Sequence, residues 1–245
     1  MSESTGGYFY DRTAEYVALL LPGAWAGLRP ALAAALVGLD ATAGPVVDVG
    51  AGSGEGVVVL ADALPVAEII AVEPHAALRT ALLTRISGDS ALTERVTVLA
   101  DDVLSAQLPD RISGLIAMNV IGHLTPGERR ALWAVLGVKL TPGGRAVLNL
   151  YPPYQPEAVP DAPMGEAVIG RRRYSGSAAA EPGGCDSVTW HMTYRVEEDG
   201  DVVTEFTASD RWYVLTPAEL TAELAEHGLR VSAGDAAAGV QIITR

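Results

Sequence analysis

The chain has almost no lysine: Lys139 is the only one, so nearly every cation is an arginine, and acidic residues still outnumber basic ones to give a net charge of −13. A protein that neutralises nucleic-acid phosphates needs a basic face. The only basic run, Arg171-Arg172-Arg173, reads as a solvated loop, so nucleic acid is not an expected partner. Cysteine is just as scarce. Cys185 stands alone, which excludes an internal disulfide and a cysteine-cluster metal site, and no metal is expected. The start of the chain lacks the basic and apolar blocks of a secretory signal. Its apolar runs are interrupted by Pro, Gly or charge before they reach membrane-spanning length. The expectation is a cytoplasmic protein without a membrane partner. Charge is sparse while apolar residues make up 49% of the chain, enough to bury a sizeable core in 245 residues.

Periodicity predicts a helix over Tyr8–Leu21 stopped by Pro22-Gly23, and a second helical stretch through Leu28, Leu32, Ala35, Leu36 and Leu39. Short apolar runs then alternate with helices: Val46–Val49, Ile69–Val72, Val96–Leu99, Leu115–Val120 and Ala146–Leu150. Strands apolar on both faces and separated by helices imply a parallel sheet covered on two sides. Thr125-Pro126-Gly127-Glu128 and Thr216-Pro217-Ala218-Glu219 each predict a helix start with a capping box and Pro at the first helical position. Leu229–Ser232 and Val240–Thr244 then supply two final strands. Residues 151–187, rich in Pro, Gly and Ala, read as an irregular insertion. Val188–Val196 and Val202–Tyr213, joined across Asp199-Gly200, read as a β-hairpin outside the main sheet. The divisions expected are 1–44, an N-terminal helical lid; 45–150, an α/β core; 151–215, insertion and hairpin cap; and 216–245, completion of the core.

The sharpest motif is Val46-Val47-Asp48-Val49-Gly50-Ala51-Gly52-Ser53-Gly54, an apolar strand running into a glycine-rich turn. Such glycines allow a tight turn and close approach of a ligand to the backbone. Glu73, at the end of the second strand, can accept hydrogen bonds from both hydroxyls of a ribose. A nicotinamide-dependent oxidoreductase has a similar pattern, but Glu55 stands where that pattern has glycine, and a carboxylate there would repel a pyrophosphate. A cofactor without phosphate and with a cationic sulfonium tolerates Asp48 and Glu55.

In order and spacing these motifs resemble the class I S-adenosylmethionine-dependent methyltransferases, in particular bacterial small-molecule enzymes of natural-product biosynthesis. The resemblance covers roughly residues 45–150 and resumes at 216–245. It implies a doubly wound, mostly parallel seven-stranded α/β sheet of the Rossmann-like kind, with S-adenosylmethionine as cofactor. By the same resemblance Asp48, Gly50, Gly52 and Gly54 hold the methionine end of the cofactor and Glu73 the ribose. Asp101 and Asp102 are the candidates for adenine, with Asp102 favoured, though an isolated Asp serves as commonly to cap a loop. Asn119 lies in Met118–Leu124, which is similar to the family's segment between cofactor and acceptor, as Pro142-Gly143-Gly144-Arg145 is to its turn before the fifth strand. His123 is the candidate base, on the loop where an open α/β sheet has its ligand crevice. The N-terminal aromatics are similar to the lid of such enzymes, and Tyr8, Tyr10, His123, Trp190 and Trp212 are the candidate substrate contacts. The acceptor expected is a small molecule, aromatic or indole-like, methylated at N, O or C. The alternative is an amino sugar, whose N-methyltransferases also carry an antiparallel cap, some dimerising through it. Asn149-Leu150-Tyr151-Pro152-Pro153-Tyr154 looks like an Asn-Pro-Pro-Tyr signature, but follows the fifth strand rather than the fourth and has two residues interposed. It is read as a stiff exit into the insertion.

Overall fold

The computed structural model describes the chain from Thr5 onward, and its side chains from Phe9 onward. Tyr8 therefore lies outside the residues whose side chains are described.

The first element is a single helix, α1 (Thr5–Leu36), not the two helices expected. Pro22 and Pro30 lie inside it, on its exposed side. Proline in a helix interior costs about 3 kcal/mol, and packing along the opposite face offsets this. Phe9, Thr13, Tyr16 and Leu20 form one buried stripe, and Trp25, Leu28, Leu32 and Leu36 continue it into the main core. The segment read as a lid is thus half core helix. By length and composition Phe9–Leu36 would also qualify to cross a membrane, contrary to the expectation that no apolar stretch reaches that length. Here its buried stripe packs on protein while the rest of the helix is exposed or half-buried.

Then β1 (Val46–Val49), β2 (Ile69–Val72) and β3 (Val96–Leu99) fall where periodicity predicts. Between them lie α2 (Glu55–Ala63), α3 (Ala76–Ser87) and α4 (Ser90–Arg95). β4 (Ile112–Ala117) starts and ends about three residues earlier than expected, and Asn119, with a left-handed φ of 59°, breaks the extended run beyond its end. A 3-10 turn (Ile121–His123) leads to α5 (Pro126–Lys139), then β5 (Leu140–Asn149). The expected turn at 142–144 is absorbed into β5 as a register shift against β4.

The largest departure is the cap. Residues 151–187 are not irregular: they carry β6 (Val159–Ile169) and β7 (Arg172–Pro182). These join β8 (Ser187–Glu198) and β9 (Asp201–Tyr213) in a four-stranded antiparallel meander. Pro160, Pro163 and Gly165 masked β6, yet an edge strand tolerates residues that cannot serve a central one. The Asp199-Gly200 turn forms as expected, with φ of 54° and 92°. The chain returns through α6 (Pro217–Ala225), β10 (Arg230–Ala233) and β11 (Val240–Thr244). Both predicted capping boxes are present.

The main sheet runs β10-β11-β5-β4-β1-β2-β3, with β11 antiparallel to both its neighbours and the other six strands running in one direction. It is doubly wound, as expected. Strand order reverses at β1, flanked by β4 and β2, and the crevice beyond the carboxyl ends of these strands is where such a sheet receives its ligand. The cap and the first turns of α1 close over that end.

Candidate active site

Glycine takes a left-handed φ at 50, 52 and 54 (62°, 56° and 92°), so the chain reverses sharply between β1 and α2. At Gly52 a Cβ would meet only the Gly50 carbonyl, at 3.9 Å, so the protein itself leaves the space beside it open. The turn is tied to β2 by Glu73. One carboxylate oxygen accepts the Gly52 amide and the other the His75 amide, each at 2.8 Å. Burial raises the Glu73 pKa, and those two amides only partly counter it. Each oxygen keeps a further lone pair for a ligand hydroxyl.

Asp48 is buried one step earlier on β1, and one of its oxygens has no partner. Burial, and then the Glu73 charge, push its pKa well above the carboxylate range, against a single amide bond from Val57. Ser53 Oγ and His75 Nδ1 are likewise buried and unpartnered. Unsatisfied polar atoms gathered at a strand terminus beside an open glycine turn fit a polar nucleoside cofactor.

Glu55 does not face that ligand space. It is almost fully buried and paired with Arg29 of α1 and Arg85 of α3, while Arg85 also donates to the Ser53 carbonyl at 2.8 Å. Its charge is consumed in clamping the turn, which corrects the expectation that it would repel a pyrophosphate. Asp102 caps its own loop: it accepts the Leu104 and Ser105 amides at 2.9 and 3.0 Å and the Ser105 hydroxyl at 2.8 Å. Burial pushes its pKa up, but these bonds outweigh burial and hold it low. The neighbouring Asp101 is exposed. Asn119, half-buried, exchanges hydrogen bonds with Asn149 at the end of β5.

Above the crevice the cap and α1 meet at His123. Its Nδ1 is 3.1 Å from the buried Asp210 of β9, and its Nε2 is 3.2 Å from the Tyr10 hydroxyl. The carboxylate beside Nδ1 favours a proton there, and in that tautomer Nε2 is the acceptor for Tyr10. Burial, with Asp210 and Glu73 adding to it, raises the Tyr10 pKa, so the phenol stays a donor. Trp212 stands edge-on to His123 at 4.8 Å and lies flat on Gly122, where any Cβ would overlap the indole. Trp190 pairs across the strands with Asp210 on the same inner face of the cap. A second clasp joins Asp11 to His75 Nε2 at 3.0 Å. The contacts bring Tyr10, His123, Asp210 and Trp212 together, with His75 beside Tyr10 and its amide bonded to Glu73, while the unpartnered Asp48 oxygen lies against Gly56 of α2 and Asp102 turns to its own loop. Asp210 escaped sequence reading, although its place between Ala208 and Trp212 in the inward-facing alternation of β9 was a usable signal. Among the described residues no group of three or more His, Cys, Asp or Glu is arranged to hold a metal ion.

An open, mostly parallel sheet with this turn, and with a carboxylate ending its second strand, is a Rossmann-like arrangement whose chemistry suits a nucleoside ligand. Residues 46–144 match the family model of the methyltransferase domain, and that stretch is a methyltransferase domain. No curated protein matches the chain by sequence. Solved structures agree on the fold across nearly all of it. CalS10, an amino pentose methyltransferase from Micromonospora echinaspora involved in calicheamicin biosynthesis, was solved with S-adenosylmethionine bound. It is 20% identical at a TM-score of 0.72, with 90% of this chain and 91% of that one covered. DesVI of Streptomyces venezuelae is 18% identical at 0.71, with 99% of each chain covered. The sugar N-methyltransferase KedS8 from a Streptoalloteichus species is 16% identical at 0.66, with 100% of this chain and 94% of that one covered. The chain thus carries a methyltransferase domain over residues 46–144, on a fold it shares with methyltransferases that include one solved with S-adenosylmethionine bound.

Proposed function

We propose that the chain transfers a methyl group from S-adenosylmethionine to a small-molecule nucleophile seated under the cap, with His123 as the base. The observation that carries this reading is the Tyr10–His123–Asp210 chain at the mouth of the crevice. Glu73 would bind the ribose hydroxyls, the turn from Gly50 to Gly54 with Asp48 the methionyl end, and exposed Asp101 is better free than Asp102 to meet adenine. When bound, the cofactor supplies an electrophilic methyl on a cationic sulfur. The protein's own share is positioning, worth roughly 7–11 kcal/mol in well-oriented reactions, and removal of one proton. An acceptor N–H or O–H displaces the Tyr10 hydroxyl from Nε2. The acceptor's proton passes to Nε2, before attack from an ammonium and during attack from a hydroxyl, Asp210 balances the resulting imidazolium, and the cofactor's sulfur would depart as a neutral thioether.

The favoured acceptor is an amine on a sugar-like natural product. Relatives that act on an amino pentose or a sugar nitrogen match the cap as well as the core, and a protonated amine must lose a proton before it attacks. An aromatic or indole-like acceptor is the second reading, supported by Trp190 and Trp212 on the inner face of the cap. The reading carries with it a cytoplasmic setting, with neither nucleic acid nor membrane as partner, in keeping with the net charge and the packed α1. Self-association through the cap is supported by exposed Val168, Ile169, Val202 and Val203 near its hairpin tips, and light scattering tests it. The deciding experiment is a screen for S-adenosylhomocysteine release with amino sugars, indoles and phenols. Turnover with amino sugars is expected; turnover with phenols or indoles alone overturns the favoured acceptor, and release with none overturns the activity.

A further inference from the structure

Asn149 is almost fully buried at the end of β5, and both ends of its amide are engaged by one residue, Asn119. Its Oδ1 accepts the Asn119 main-chain N–H at 2.7 Å, and its Nδ2 donates to the Asn119 Oδ1 at 2.8 Å. The two ends of a side-chain amide are ordinarily assigned only by their partners. Here the assignment is forced. A main-chain N–H can only donate, so Asn149 must present Oδ1 to it; its Nδ2 must then face Asn119, which must answer with its own Oδ1. That leaves the Asn119 Nδ2 as the free end, on a half-buried residue just past β4. The next residue, Val120, packs on the glycine turn so closely that a Cβ at Gly50 would lie 2.6 Å from it. Asn119 makes this pair of bonds from a left-handed φ of 59°.

We propose that Asn149 is a positioning residue that fixes the polarity of Asn119, so that Asn119 offers a hydrogen-bond donor, not an acceptor, to the carboxylate at the methionyl end of the cofactor. The inference rests on the cofactor reading above and adds to it the sense of one contact and the residue that sets it. Asn149→Asp makes the distinction. The substitution is nearly isosteric and still accepts the Asn119 main-chain N–H. Once ionised, though, it has no donor, so the Asn119 amide must turn over to donate to it and expose Oδ1 toward the crevice.

The test is calorimetric titration at pH 9 with two probes. S-adenosylhomocysteine carries the amino-acid carboxylate, and 5′-methylthioadenosine lacks it. Asn149→Asp is expected to weaken S-adenosylhomocysteine at least tenfold and leave 5′-methylthioadenosine within twofold; its melting temperature should fall at pH 9, where the buried carboxylate is ionised, with the protein still folded at the titration temperature. Asn119→Ala should weaken S-adenosylhomocysteine similarly. Adding Asn149→Asp to Asn119→Ala should cost little more, because the first acts through the second. Unchanged S-adenosylhomocysteine affinity in Asn149→Asp overturns the proposal, as does an equal loss for both probes or a full second loss in the double variant. If the wild-type protein binds neither probe, it is the cofactor reading that fails.

Discussion

Asp210 of the cap and His123 of the core are joined by a 3.1 Å contact between carboxylate and Nδ1. It crosses the joint between the four-stranded sheet and the crevice, so the cap does more than cover the site. It places a carboxylate beside one imidazole nitrogen and leaves the other to Tyr10.

Asp210→Asn is therefore expected to act on turnover and not on cofactor binding. An asparagine can donate to Nδ1, which moves the proton to Nε2 and removes the acceptor, and it no longer balances an imidazolium. General-base steps contribute roughly 10²–10⁴-fold, so kcat should fall by about that factor while calorimetric affinity for S-adenosylhomocysteine stays within about threefold. Near-normal kcat in this variant would remove Asp210 and His123 from the chemistry.

A second expectation concerns Asp48 and pH. Its folded pKa is raised by burial and then by Glu73, so the folded protein holds that proton more tightly than the unfolded chain does. The sign follows: Asp48 disfavours folding once it must ionise, and the penalty vanishes below the ordinary value of 3.8. Asp48→Asn should then melt higher than wild type at pH 8 and converge with it near pH 4. Each 1 kcal/mol gained should raise Tm by about 2–4 °C in a chain of this size. A Tm difference that stays constant with pH would show that Asp48 is not held with a raised pKa.

Gly122 supplies the third. Its lack of a side chain lets the Trp212 indole lie on the turn beside His123. Gly122→Ala must expel the indole or shift the turn, and such overpacking costs about 1–3 kcal/mol. The variant should melt a few degrees lower, bind S-adenosylhomocysteine normally and lose turnover. Trp212→Ala introduced beside it should restore the melting temperature. If Gly122→Ala has full turnover, Trp212 does not shape the acceptor site.

Most of the core was legible because its signals are local. β1, β2 and β3 are short apolar runs with nowhere to go but a covered sheet, and the two capping boxes state their own start points. What escaped depends on distant partners. α1 continues through Pro22 because of what its other face buries, and β6 is a strand because β7 pairs with it. The same holds at the site. Glu73 announces itself by position, whereas Asp210 acquires meaning only when β9 brings it to His123, and Glu55 changes meaning when Arg29 and Arg85 reach it.

The last expectation takes up α1, whose opening turns bridge the crevice by two contacts. Tyr10 reaches His123, and Asp11 reaches His75. Farther along, Tyr16 and Leu20 pack on Tyr194 and Val196 of the cap, so the helix is anchored without its first turns. Removing residues 1–13 should therefore leave the fold and the cap in place. The Asp11–His75 pair is exposed on one side and worth no more than about 1 kcal/mol, so S-adenosylhomocysteine affinity should fall less than tenfold. Turnover should fall at least about a hundredfold, because the truncated site admits water and no longer orders the acceptor. Tyr10→Phe isolates the hydroxyl. It keeps the ring and frees Nε2 of a competing donor, so kcat should change by less than about tenfold, with the larger effect on acceptor KM. If the truncated protein turns over at the full-length rate, α1 does not close the site, and the Tyr10–His123 contact belongs to the resting protein alone.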